Sequence, residues 1–152
     1  MARFFINSKI IGIDKDDKSN LNNENLLTYI VDQSNKESLL SFKNKINNKF
    51  DIIIDDGSHR EQDILLSFDV LWDKVSNGGF YCIEDTNCDN AIKEIIYNDE
   101  FDIKELYYNN EITKTILNKY NNLNYLNIKS LTVYPSRQNH QCLIIFQKDS
   151  VV

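Results

Sequence analysis

Glycine is scarce: four residues in a chain of 152, at Gly12, Gly57, Gly78 and Gly79. Only the last pair are near one another, so the chain contains no G-x-G-x-x-G loop and no G-x-x-x-x-G-K-[ST] loop. A nucleotide-like ligand has to be held by other means. Basic charge is also short, at 17 Lys and Arg against 23 Asp and Glu, for a net charge of -6. That balance disfavours nucleic acid, which needs clustered Lys and Arg against its phosphates, and it disfavours anionic membrane surfaces. No apolar run approaches the roughly 20 residues that span a bilayer. The N-terminal segment Met1-Ala-Arg-Phe-Phe-Ile-Asn7 has no apolar region of secretory length. Three cysteines, Cys82, Cys88 and Cys142, stand at no metal-ligand spacing. Without an export signal, the expectation is free thiols in a reducing, cytoplasmic setting. The abundance of Asn (21) and of Lys over Arg (14 to 3) reads as the bias of an AT-rich genome.

What is present suits one globular domain over residues 1–152. Such a chain buries about 68–70% of its unfolded surface, enough for a core. Lys9–Asp14, Leu26–Val31, Phe50–Ile54 and Phe80–Ile83 are short apolar runs that predict buried strands. Ser34-Asn-Lys-Glu37 and Ser58-His-Arg-Glu61 have capping-box spacing, and each precedes apolar residues at helical intervals. Asn77-Gly78-Gly79 predicts the end of the second of these helices. Residues 88–121 predict two further helical pieces, with Ile92, Ile95 and Ile96 on one and Ile112, Ile116 and Tyr120 on the other. Ser130–Tyr134 and Gln141–Gln147 predict an antiparallel hairpin. Strands alternating with helices imply an α/β fold with a mainly parallel sheet, closed by that hairpin. Solid apolar strands are those expected of a sheet covered on both faces.

In such sheets ligands bind beyond the carboxyl ends of the strands. Four strands end in acids: Asp14, Asp32, Asp55-Asp56 and Glu84-Asp85. If the last two strands are neighbours, their carboxylates crowd together and raise one another's pKa. A hard divalent cation such as Mg²⁺ relieves that conflict. The plainer alternative is that the carboxylates point apart, as solvated strand ends or helix caps. His59 is expected in the first turn of the Ser58-capped helix, where the helix dipole disfavours imidazolium and leaves a neutral base. Its plainer alternative is a capping or packing histidine.

Phe50-Asp-Ile-Ile-Ile-Asp-Asp-Gly-Ser-His59, a helix, and then Gly78-Gly-Phe-Tyr-Cys-Ile-Glu-Asp-Thr86 resemble the class I S-adenosylmethionine-dependent methyltransferases. The likeness is greatest to the metal-dependent, mycinamicin-type O-methyltransferases that modify macrolide sugars. It extends upstream through Ile11–Asp14 and Val31–Ser34, over about residues 3–90. The resemblance implies a Rossmann-like methyltransferase fold. It implies Asp14 on the ribose of S-adenosylmethionine, Asp32 and Gln33 near its adenine, and Asp55 on the cofactor side. It implies Asp56, Glu84 and Asp85 as ligands of Mg²⁺ or a similar ion, and His59 as general base. Family members open with a strand and a glycine-rich loop beneath the donor's methionine moiety. Met1-Ala-Arg-Phe-Phe resembles the end of the helix after that loop, so a domain missing its first strand and glycine loop is expected.

The implied activity is methyl transfer to a hydroxyl of a small molecule, a sugar's among the candidates. The alternative is an inactive remnant that serves as a binding or interaction module. An open apolar sheet edge in such a remnant invites a homo-oligomer.

Overall fold

The structure, a computed structural model, describes residues 7–87, 112, 115–116, 127–135 and 141–150. The chain divides into two compact units, Met1–Asn47 and Asn48–Val152.

In the first unit, β1 (Ile10–Asp14) and β2 (Leu26–Ile30) pair in parallel, from Ile10↔Leu26 to Asp14↔Ile30. The intervening loop is built by Asn side chains. Asn22 Oδ1 accepts from both the backbone and the hydroxyl of Thr28, and Asn23 Oδ1 accepts from the Asn25 and Leu26 amides. These residues are therefore more than a compositional bias: each offers the backbone a local partner, as Asn does in turns. Helix α1 (Lys36–Lys45) follows. Its cap is Asn35, which accepts from the Ser38 amide, and not the expected Ser34, whose hydroxyl donates to Asp32 instead. Leu39 and Phe42 on α1 are buried with Val31 and Ile46, and Phe42 meets Tyr29 edge-on at 5.6 Å.

In the second unit, β3 (Phe50–Asp55), α2 (Glu61–Leu71), β4 (Val75–Asn87), β5 (Ile128–Pro135) and β6 (Gln141–Lys148) form a sheet of order β3-β4-β6-β5. β3 and β4 are parallel, whereas β4–β6 and β5–β6 are antiparallel. The two strands nearest the C-terminus, β5 and β6, are thus the hairpin expected from the sequence. Phe68 of α2 packs within 5.1 Å, centroid to centroid, of Trp72, Tyr81 and Phe146. Ile64, Ile83 and Ile144 complete this core. The opposite sheet face carries the exposed Ile52, Ile54 and Phe80 among the described residues. Buried Lys148 donates to the carbonyls of Trp72 and Val75, closing the end of α2 and the 3-10 turn Trp72–Lys74.

Gly78 and Gly79 do not end the helix. They lie inside β4, where five residue steps (Val75 to Phe80) oppose two (Phe50 to Ile52). Gly78 takes φ +77°, and a Cβ on Gly79 would stand 2.7 Å from the Asp51 carbonyl oxygen. An Asn-Gly-Gly segment spells a helix end and a strand irregularity alike. Cys82 is a free thiol but Cys142 is disulfide-bonded, which corrects the expectation of three free thiols. Pairing follows the proximity of Cβ atoms, which sequence spacing does not reveal. Cys88 and the helical piece around Ile92–Ile96 lie outside the described residues. Ile112 and Ile116 are helical and buried, while Tyr120 lies outside.

Candidate metal centre

The parallel register Ile54↔Cys82, Asp55↔Ile83 sets the carboxyl ends of β3 and β4 side by side. This is the edge at which open α/β sheets present functional side chains. Asp56 leaves β3 into solvent. On β4 a bulge decides which acid joins it. Ile83 pairs with Ile144 and Thr86 with Cys142, so three steps on β4 oppose two on β6. Alternation buries Tyr81 and Ile83 and would bury residue 85 next. The extra residue resets the phase: Thr86 is buried and Asp85 is turned outward with φ +54°. The Thr86 hydroxyl bonds to the Cys142 carbonyl at 3.1 Å, fixing the far side of the bulge.

His59 completes the group. It lies two residues before α2, which begins at Glu61, and not in its first turn. The backbone at His59 is left-handed, φ +56°. The N-cap of α2 is Arg60 and not Ser58; the Ser58 hydroxyl donates to Asp63 at 2.7 Å and accepts from the Arg60 amide at 3.3 Å. A left-handed residue in the middle of the Ser-x-x-Glu segment breaks the backbone path a capping box needs. The result is a short turn that lifts the imidazole off the helix, with Nε2 3.8 Å from Asp56 Oδ1.

One ligand atom each from Asp56, His59 and Asp85 lies within 4.8 Å of the others, and all three residues are exposed. The two carboxylates, from adjacent strand ends, suit a hard divalent cation with open positions left for water or substrate, and the imidazole stands beside them as a candidate base. Glu84, expected as a third carboxylate, is not in this group. It lies within the bulged stretch between Ile83 and Thr86 and is half-buried. Burial pushes the Cys82 thiol up, and the Glu84 charge pushes it further.

The remaining expected residues are placed as follows. Asp14 is half-exposed at the end of β1, accepts from the Asp16 amide and faces Lys18 at 3.8 Å. Asp32 is exposed beyond β2. The Ser34 hydroxyl and then its amide hold the Asp32 carboxyl below the usual carboxylate range. Gln33 is half-buried beside it. Asp55, expected on the cofactor side, is only 8% exposed, and its Oδ2 accepts from Ser67 of α2 and, at 3.3 Å, from Tyr81 of β4. Its neighbour Asp56, the first residue beyond β3, is exposed. The sequence carried a signal of this buried group: Ser67 interrupts the apolar stripe of α2, and Tyr81 alternates inward with Ile83.

No protein-family model matches the chain. Over 82 residues it is 38% identical to the demethylmacrocin O-methyltransferase of Streptomyces fradiae, covering 54% of this chain and 20% of that protein. It is 39% identical over 82 residues to the mycinamicin VI 2''-O-methyltransferase of Micromonospora griseorubida, with the same coverage. The fold aligns with the methyltransferase MycE, solved with Mg, S-adenosylhomocysteine (SAH) and mycinamycin VI. That alignment has a TM-score of 0.67 at 27% identity, over 98% of this chain and 39% of that one. The chain resembles the macrolide-sugar O-methyltransferases. It shares their class I methyltransferase fold and spans about a fifth of the length of these two relatives. Among the described residues no helix is long and apolar enough to cross a membrane.

Proposed function

We propose that this chain carries the metal-and-base part of an S-adenosylmethionine-dependent O-methyltransferase acting on a hydroxyl of a small, sugar-bearing molecule. The observation that carries the reading is the meeting of Asp56, His59 and Asp85 at adjacent strand ends, in a fold like that of a methyltransferase solved with Mg and SAH. Asp56 and Asp85 would hold Mg²⁺ or a similar ion, with Glu84 nearby in sequence as a further carboxylate. When bound, the ion supplies Lewis-acid polarisation of the hydroxyl and the donor supplies an electrophilic methyl carbon. His59 takes the hydroxyl proton, and the Asp56 carboxylate, 3.8 Å from Nε2, stabilises the imidazolium that results. Exposure of all three side chains leaves room for a bulky acceptor. Asp14 is assigned to the ribose of the donor, and Asp32 and Gln33 to its adenine side.

Calorimetric titration with S-adenosylmethionine and with Mg²⁺ tests the assignment. The folded chain is expected to bind Mg²⁺, and Asp56→Ala is expected to weaken that binding at least about 10-fold, as loss of a ligand does. A folded wild-type chain that binds neither donor nor ion overturns the reading.

A further inference from the structure

The candidate centre draws on two strands, Asp56 from the end of β3 and Asp85 from β4. Its geometry depends on how firmly those strands are held against each other at that end. Ordinary ladder bonds run up to Asp55↔Ile83 and no further between the two strands. Beyond them Asp56, Gly57 and Ser58 have no strand structure, and β4 is bulged.

One side-chain group spans this junction. Asp55, the last residue of β3, is buried, and its Oδ2 accepts from Tyr81 of β4 at 3.3 Å and from Ser67 of α2. Three elements therefore meet on one carboxylate immediately before Asp56. Tyr81 is fully buried and packs edge-on against Phe68 at 5.1 Å, so its hydroxyl is held by a rigid ring. Burial, and then the Asp55 charge, push the Tyr81 hydroxyl well above its ordinary range, which keeps it protonated and a donor. A carboxylate buried in this way is directional: rotating it would expose one donor or strand another. Asp56 follows Asp55 directly, so fixing the Asp55 side chain inward fixes the backbone direction in which Asp56 leaves β3.

We propose that Tyr81 and Ser67 are positioning residues for the metal centre: by clamping Asp55 they set the direction in which Asp56 leaves β3 relative to Asp85 on β4. Neither touches the ion or the substrate; they act through Asp55. The inference rests on the reading of Asp56 and Asp85 as metal ligands.

The test is Mn²⁺ binding to the whole chain, followed by the electron paramagnetic resonance signal of free Mn²⁺, well below each variant's unfolding midpoint. Tyr81→Phe removes only the hydroxyl and leaves the ring packed, and Ser67→Ala removes the second donor. Each is expected to raise the Mn²⁺ Kd about 10-fold, the low end of the losses seen when a supporting partner of a metal ligand is removed. Val133→Ala, a buried change on β5 across the sheet, lowers stability without touching Asp55 and is expected to leave Kd unchanged. If Tyr81→Phe and Ser67→Ala lower the unfolding midpoint but bind Mn²⁺ like wild type, the proposal is wrong and the metal site stands. A folded wild type that binds no Mn²⁺ removes the metal reading, and this one with it.

Discussion

Two of the three residues in the candidate centre, His59 and Asp85, have left-handed backbones at φ +56° and +54°. Non-glycine residues avoid that region at a cost of about 1–2 kcal/mol. Such conformations gather at functional sites, where the side chain is worth more than the backbone comfort it displaces. A comparison at position 85 separates the two. Asp85→Gly is expected to be about 1 kcal/mol more stable than Asp85→Ala, because only glycine takes this φ freely. Both should lose divalent-ion binding. Urea unfolding and Mn²⁺ titration of the same pair of variants check both halves. Tyr81 gives a second residue-scale expectation. Its folded pKa is raised above the ordinary value of 10.0, so its stabilising contribution is complete below pH 10 and is lost as pH rises through the folded value. Unfolding free energy should fall above pH 10 in wild type and fall less steeply in Tyr81→Phe.

At the scale of elements, β4 is the strand on which the second unit depends. It pairs with β3 and β6, carries Tyr81 and Ile83 into the core and takes Asp85 to the rim. The Gly78–Gly79 irregularity lets it pass close to β3. Gly79→Ala would place a methyl 2.7 Å from the Asp51 carbonyl and is expected to destabilise the chain by about 1–3 kcal/mol in denaturant unfolding. Much of this layout was legible in the sequence. Solid runs such as Phe50–Ile54 and Phe80–Ile83 have the length and composition of strands, and the short Pro135–His140 connection favours a hairpin. The acids at the ends of β3 and β4 followed from the same runs. What was not legible depends on backbone detail with no spelling of its own. Ser58-x-x-Glu61 has the letters of a capping box, yet the turn at His59 moves the imidazole in front of the helix. Glu84 and Asp85 are adjacent acids, and only the bulge determines that Asp85 is the one beside Asp56. Asp55 and Asp56 look interchangeable in sequence, but one faces Tyr81 and the other solvent.

For the molecule as a whole, a bound ion would act on stability through the second unit. A ligand at 100 times its Kd adds about 2.7 kcal/mol to the folded state. For a unit of this size that raises the unfolding midpoint by about 10 °C. Trp72 is the one tryptophan of the chain and lies buried beneath Phe68, so its fluorescence reports this unit alone. The midpoint should rise with Mg²⁺, return with EDTA, and rise about half as much or less in Asp56→Ala. The net charge of -6 adds to the effect at low ionic strength, because an acidic surface concentrates cations near it.

The bulge in β4 has a further consequence for how this fold tolerates change. Deleting one residue between Ile83 and Thr86 would let β4 and β6 run as an uninterrupted ladder. The sheet would gain regularity and would lose the left-handed turn that sets Asp85 beside Asp56 and His59. Length variation at this point is therefore selected in opposite directions by folding and by ion binding. A homologous strand with a single residue fewer here would mark a protein that keeps the architecture and has given up the centre.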